Sequence, residues 1–149
     1  MTDSQSAAPD DTAATDDAPM PPVRPGMFLL ELVPVPVGDI DRAKAFYTGL
    51  GFNADVDVRP ADGVRVVQLT PPGSSCSISL TQGLPGLDMP VGSLRGLHLV
   101  VSDIEQARAE FIERGADVAP VEDAGGVLYA RFSDPDGNTW TLQHMPWRT

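Results

Sequence analysis

Basic residues, cysteine, histidine and long apolar runs are all scarce in this sequence, and each scarcity removes a class of function. Ten Lys and Arg stand against 21 Asp and Glu, a net charge of −11, so no basic face is on offer to a nucleic-acid partner. The lone cysteine, Cys76, excludes an internal disulfide and suits a reducing cytoplasm. It lies in a strand-like run with no helix N-terminus or basic neighbour to activate it, and it is read as a half-buried structural residue. Nothing approaches the roughly 18 consecutive apolar residues of a membrane-spanning helix. The start has neither the basic region nor the apolar core of a signal peptide. Two histidines, His98 and His144, leave little room for metal chemistry.

Aromatic residues are missing from the first 26 positions, which hold five Asp and five Pro. Such a stretch buries too little apolar area to offset its ordering entropy, so residues 1–26 are expected to form a disordered acidic tail. The ordered domain is then residues 27–149.

What the sequence does have is a repeat. The segment Val37-Gly38-Asp39-Ile40-Asp41-Arg42-Ala43-Lys44-Ala45-Phe46-Tyr47 returns as Val101-Ser102-Asp103-Ile104-Glu105-Gln106-Ala107-Arg108-Ala109-Glu110-Phe111, with Asp103 lying 64 positions after Asp39. Each copy ends an apolar strand and opens a helix at an Asp cap. Ile40, Ala43, Phe46, Tyr47 and Leu50 form one helical face ending at Gly51. Ile104, Ala107, Phe111 and Ile112 form the other, ending at Gly115. Strands are predicted over residues 28–37, 53–58, 64–70 and 75–81 around the first helix. Around the second they fall at 94–101, 116–121, 127–133 and 139–144. Asp134-Pro135-Asp136-Gly137-Asn138 is read as a hairpin turn, since it lacks the later ligands of a calcium loop. The result is an α+β protein of two β-α-β-β-β modules, residues 28–82 and 94–146.

The paired modules, the Val-Gly-Asp-Ile-Asp-Arg-Ala-Lys-Ala-Phe-Tyr segment and the closing Asp-Pro-Asp-Gly-Asn-Thr-Trp-Thr-Leu resemble the vicinal oxygen chelate superfamily. That group includes glyoxalase I, bleomycin-resistance proteins and extradiol dioxygenases. The resemblance runs from Leu29 to Gln143. It implies a curved sheet around a concave cavity with the helices outside, and a homodimer, because family members often pair or exchange modules between chains. It also implies four inward strand positions where the metal enzymes carry His, Glu or Gln. Counting back from the helix-opening Asp, and along the last strand of each module, those positions are Leu32, Gly96, Ser79 and Thr141. Moving the second count by one residue gives Arg95 instead. None of these side chains is a usual first-row metal ligand. His98 is expected on the cavity face, with Gly96 and Val100. His144 is expected on the opposite face, with Trp140 and Leu142.

The residues left to bind something are therefore His98, the polar rows Ser79–Thr81 and Thr139–Thr141–Gln143, and the pair Tyr129 and Arg131. His98 could hydrogen-bond a ligand or act as a general base; alternatively it is a histidine satisfied within the sheet or by water. The polar rows suit a ligand, and they equally suit a solvated sheet face. Two functional readings follow. One is a metal-free binder of a small organic molecule, without cofactor, nearer to the bleomycin-resistance branch. The other is a lyase, isomerase or dioxygenase using His98 with or without a divalent metal.

Overall fold

The computed structural model describes residues 22–148. Most of the expected tail, residues 1–21, lies outside the described residues, while residues 22–26 are exposed and end in a turn. Ten elements follow in the order of the repeat: β1 (Leu32–Pro34), α1 (Ile40–Gly49), β2 (Asn53–Ala61), β3 (Val64–Thr70), β4 (Ser77–Gln82), then β5 (Leu97–Val100), α2 (Ile104–Glu113), β6 (Glu122–Ala124), β7 (Val127–Ser133) and β8 (Thr139–His144). They make two open, curved four-stranded sheets, β1-β4-β3-β2 and β5-β8-β7-β6. In each, the first strand runs parallel to the last and the remaining pairs are antiparallel. No strand of one sheet is hydrogen-bonded to a strand of the other among the described residues.

Both helices start as the Asp caps predict, Asp39 accepting from the Arg42 N–H and Asp103 from the Gln106 N–H. Each helix covers one sheet face. Val67, Leu69, Ile78 and Leu80 lie under α1, and Ala130, Phe132, Trp140 and Leu142 under α2. The two packed faces form one core. Tyr47 and Phe52 of the first module meet Trp140 of the second at ring-centroid distances of 5.7 and 5.8 Å, aromatic pairs worth about 0.5–1.5 kcal/mol each beyond their burial.

Several strands differ from expectation. β5 covers only Leu97–Val100 of the expected 94–101, β2 runs on from 58 to Ala61, and β4 covers Ser77–Gln82 instead of 75–81. At two places side-chain chemistry accounts for the difference. β1 is confined to Leu32–Pro34 instead of 28–37, and past Val35 it cannot continue because Pro36 has no N–H to give a ladder. Single bonds prolong it at each end, Ser77 N–H to the Glu31 carbonyl and Val35 N–H to that of Ser79. The strand expected at 116–121 is absent, and β6 begins at Glu122. There the Arg108 side chain donates to the carbonyls of Val118 and Ala119, and Pro120 offers no N–H, so one ladder bond remains, from Ala119 N–H to Arg131.

An ion cluster fastens α1 to β2 and β3. Arg65, largely buried, donates to both carboxylate oxygens of Asp57 (3.0 and 2.8 Å) and to Asp41 (2.8 Å), while Lys44 reaches Asp57 at 2.7 Å. The Arg65 hydrogen bonds, aided by Lys44 and opposed by desolvation, hold the Asp57 carboxyl well below the usual carboxylate range. A depressed folded-state value means that the cluster stabilises the fold fully above the unfolded value near 3.9 and is lost as pH falls through and below it. The gap in urea midpoint between wild type and Asp57→Asn should therefore be constant above about pH 5 and shrink on acidification below about pH 4. A gap that widens in acid would overturn this assignment.

Candidate functional site

Strand register brings six of the eight expected site residues onto one face. Across β5, β8 and β7, His98 lies beside Thr141 and Thr141 beside Arg131. In the next row Val100 lies beside Gln143 and Gln143 beside Tyr129. Thr139 stands one step further along β8, beside Ser133, and its carbonyl and hydroxyl both accept from the Gly96 N–H. Alternation sends Leu97, Leu99, Trp140 and Leu142 to the other face and into the core. The polar row is thus the concave face of the second sheet, turned away from α2.

His98 is exposed and its Nδ1 lies 2.7 Å from the Gly96 carbonyl. A carbonyl only accepts, so Nδ1 carries a hydrogen in this contact, and the neutral tautomer that fits it has its lone pair at Nε2. Its ring meets that of Tyr129 edge-on, with centroids 6.2 Å apart and planes at 88°. Arg131 pairs with Glu122 at 2.9 Å, both side chains about 60 % exposed, so the pair is worth at most about 1 kcal/mol and leaves the guanidinium free to change partners. A cleft of about 780 Å³ opens against this face, lined by Arg95, Gly96, Asp117, Arg131, Ser133, Thr139 and Thr141 among others. His98, Tyr129 and Gln143 continue the same face beyond the cleft's lining.

Ser79 and Thr81 belong elsewhere. They project from β4 on the equivalent face of the first sheet, Ser79 between Pro34 and Gln68, Thr81 beside Val66. Within one chain they do not join the His98 group, because the modules meet through their helix-covered faces and leave the two concave faces apart. Ser79 is buried with no hydrogen-bond partner for its hydroxyl. Beside it runs a polar chain that periodicity did not reveal. Thr70 donates to Asp55 and meets the Ser77 hydroxyl at 2.6 Å, and Asn53 donates to Asp55 at 2.6 Å. Asp55 sits at an irregularity in the β2–β3 pairing, and a bulge leaves no trace in an alternation pattern. A smaller pocket of about 260 Å³ lies between Pro34–Val37, Thr81 and the linker residues Leu84, Leu87 and Met89.

The register also tests the metal positions. Pro34 pairs with Ser79 as His98 pairs with Thr141, so Ser79 and Thr141 are equivalent in the repeat. An alkyl group at Leu32, two neutral hydroxyls and a glycine do not fit a divalent ion. No three His, Cys, Asp or Glu converge among the described residues. His144 lies on the opposite face, its Nδ1 buried and unpaired.

The expected hairpin turn is present and does more than turn. Asp134 accepts from the Tyr47 hydroxyl (2.7 Å), the Asn138 amide (2.8 Å) and the N–H groups of Asp136 and Asn138. Asn138 in turn donates to the Pro36 carbonyl and accepts from the Leu94 N–H, and Asp136 accepts from Gly38 N–H and Arg42. Burial first, and then the Asp134 charge, push the Tyr47 hydroxyl far above its ordinary range, so it stays a donor.

A family model described as Glyoxalase/Bleomycin resistance protein/Dioxygenase superfamily matches residues 29–142. No curated protein matches the chain. Among solved structures, the chain is similar to TnmS3, an antibiotic binding protein from Streptomyces sp. CB03234, with 35 % identity, a TM-score of 0.71, and 82 % of this chain and 99 % of that one covered. It is also similar to a glyoxalase/bleomycin resistance protein from the same organism (38 % identity, TM-score 0.66, 76 % and 98 % covered). A superfamily member from Sphaerobacter thermophilus DSM 20745 shows 31 % identity, a TM-score of 0.67, and 79 % and 98 % covered.

Proposed function

The chain belongs to the Glyoxalase/Bleomycin resistance protein/Dioxygenase superfamily, and from that premise we propose that it binds a small organic molecule on the concave face carrying His98, without a metal or other cofactor. The observation that carries the reading is the pairing of a roomy cleft with a wall of hydrogen-bonding side chains that offers no set of metal donors. A cavity of several hundred Å³ with a few convergent polar groups is what a small-molecule site needs. A similar protein described as antibiotic binding supports the class.

The reading includes a homodimer in the cytoplasm. Among the described residues the outer edges of β1 and β5 have no strand beside them, and Phe28, Leu30, Leu32 and Val100 expose apolar surface near those edges. A second copy pairing there would set the Ser79–Thr81 row opposite the His98 row and close the cavity. No helix is long and apolar enough to cross a membrane among the described residues, and Cys76 is a free thiol.

The second reading, a lyase, isomerase or dioxygenase, is favoured by one feature, an exposed His98 whose Nδ1 lies against the Gly96 carbonyl, a contact that fits the tautomer with its basic nitrogen at Nε2. One preparation separates the two. Purified protein is expected to sediment as a dimer, to hold no stoichiometric Zn, Ni, Mn or Fe, and to be stabilised thermally by members of a small-organic library after chelator treatment. Bound metal together with turnover of methylglyoxal hemithioacetal or a catechol, lost in His98→Ala, would replace binding by catalysis. A monomer would remove the two-chain cavity.

A further inference from the structure

We propose that Asp62 is a site of spontaneous isoaspartate formation, and that the fold withholds the same reaction from Asp136. The chain contains two Asp-Gly pairs, Asp62-Gly63 and Asp136-Gly137. A glycine after an aspartate leaves its amide nitrogen free to reach the side-chain carboxyl, because no Cβ stands in the way and the backbone turns easily. In the reaction the Gly63 nitrogen attacks the carboxyl carbon of Asp62 in its acid form. An N–C bond forms, the amide proton and the carboxyl hydroxyl leave as water, and a five-membered succinimide results. Water then adds back and cleaves one of the two ring N–C bonds. Cleavage at the former side-chain carbonyl restores aspartate. Cleavage at the main-chain carbonyl sends the backbone through Cβ, as isoaspartate, with mass and charge unchanged and water the only co-reactant.

The two pairs meet opposite surroundings. Asp62 and Gly63 form the exposed turn between β2 and β3, and a Cβ on Gly63 would meet nothing within 4 Å. Neither the Asp62 side chain nor the Gly63 N–H has a hydrogen-bond partner among the described residues. The β2–β3 register is irregular between Val58 and Ala61, so the single pair Ala61–Val64 closes the turn and its backbone is free to rotate toward the attack geometry. Asp136 is held at each point the reaction needs. Its side chain is 4 % exposed and accepts from the Gly38 N–H at 3.1 Å and from Arg42 at 2.9 Å. The Gly137 N–H, the nucleophile there, donates to the Asp134 carbonyl at 3.1 Å. Modification at Asp62 also has a structural consequence. The Gly63 carbonyl lies so close to Gly83, where the linker begins, that a Cβ on Gly83 would strike it. One extra backbone atom before Gly63 shifts that carbonyl and spoils the fit of the hairpin against the linker.

The test is to age the full-length protein for several weeks at neutral pH and physiological temperature, folded and in guanidinium chloride. An isoaspartate-specific methyltransferase counts the modified sites, and electron-transfer fragmentation of the peptides locates them. In the folded chain isoaspartate should accumulate at position 62 at least about tenfold faster than at 136, because the buried turn must open before it can react. In guanidinium chloride the two rates should converge. Asp62→Glu keeps the charge but would need a six-membered ring, so it should abolish methyl acceptance at that position and keep the wild-type melting temperature. Aged wild type should melt below fresh protein, and aged Asp62→Glu should not. Equal accumulation at the two positions in the folded chain overturns the inference, as does the absence of isoaspartate at 62. The same bias in denaturant also overturns it, by placing the cause in neighbouring residues and not in the fold. An unchanged melting temperature of the modified fraction overturns the consequence assigned to Gly83.

Discussion

Asp134→Ala is expected to destabilise the protein by about 3–5 kcal/mol, a fall in melting temperature of roughly 10–20 °C for a domain of this size. The carboxylate is buried and accepts four hydrogen bonds, from the Tyr47 hydroxyl, the Asn138 amide and two backbone N–H groups. Removing it strands four donors where water cannot easily reach them, and each stranded group costs about 1–3 kcal/mol before relaxation. It also frees Tyr47, whose hydroxyl accepts from the Trp140 indole N–H at 2.9 Å. The aromatic contact joining the modules then loses its anchor. Asp134→Asn keeps the shape and two acceptor positions and should cost less. The check is thermal unfolding followed by near-ultraviolet circular dichroism, where Tyr47 and Trp140 report. A loss under about 1 kcal/mol for the alanine variant would show that the turn does not hold the modules together.

Gly92→Ala is expected to cost about 3 kcal/mol or more. Gly92 ends the linker between the modules at φ +75°, and a Cβ there would meet the Asp136 carbonyl oxygen and lie 3.0 Å from its carbon. The left-handed backbone alone costs an alanine about 1–2 kcal/mol. The rest comes from the obstacle being backbone, which cannot swing aside as a side chain would. Displacing it would also pull on the Gly92 N–H bond to the Pro36 carbonyl at 3.0 Å. Gly86→Ala supplies the comparison, since Gly86 shares the backbone conformation at φ +84° but has nothing within 4 Å of its added Cβ. Chemical denaturation of both variants separates strain from clash. Equal losses at the two positions would remove the close approach of linker and turn as a structural constraint.

Local chemistry in the chain was enough to place the helices and most strands. The Asp39 and Asp103 caps, the apolar faces after them and the Asp-Pro-Asp-Gly-Asn turn act over a few residues, and they appear in the structure where the pattern puts them. The misplaced strand at 116–121 fails for a non-local reason, since Arg108 takes its carbonyls from a neighbouring helix. The same division holds at the candidate site. That Thr139, Thr141 and Gln143 share a face, as do Tyr129 and Arg131, follows from alternation within each strand, whereas their standing beside His98 follows from register. That His98 and Tyr129 form a ring corner, and that Ser79 and Thr81 face a separate concavity, depend on pairing register and on how the modules meet.

The repeat by itself determined the architecture, two copies of one module, because periodicity and capping are written in neighbouring residues. With the family resemblance it also pointed to four positions, Leu32, Ser79, Gly96 and Thr141, whose residues are not usual first-row metal ligands. Only the tertiary structure decided that Asp134, Tyr47, Asn138 and Trp140 form one buried knot across 87 to 93 positions of sequence. Hydrogen bonds of that kind have no period to read, since their partners are brought together by the packing of the two helix-covered faces. For the same reason the arginines of an acidic chain could be counted in the sequence, but their gathering at one cleft could not.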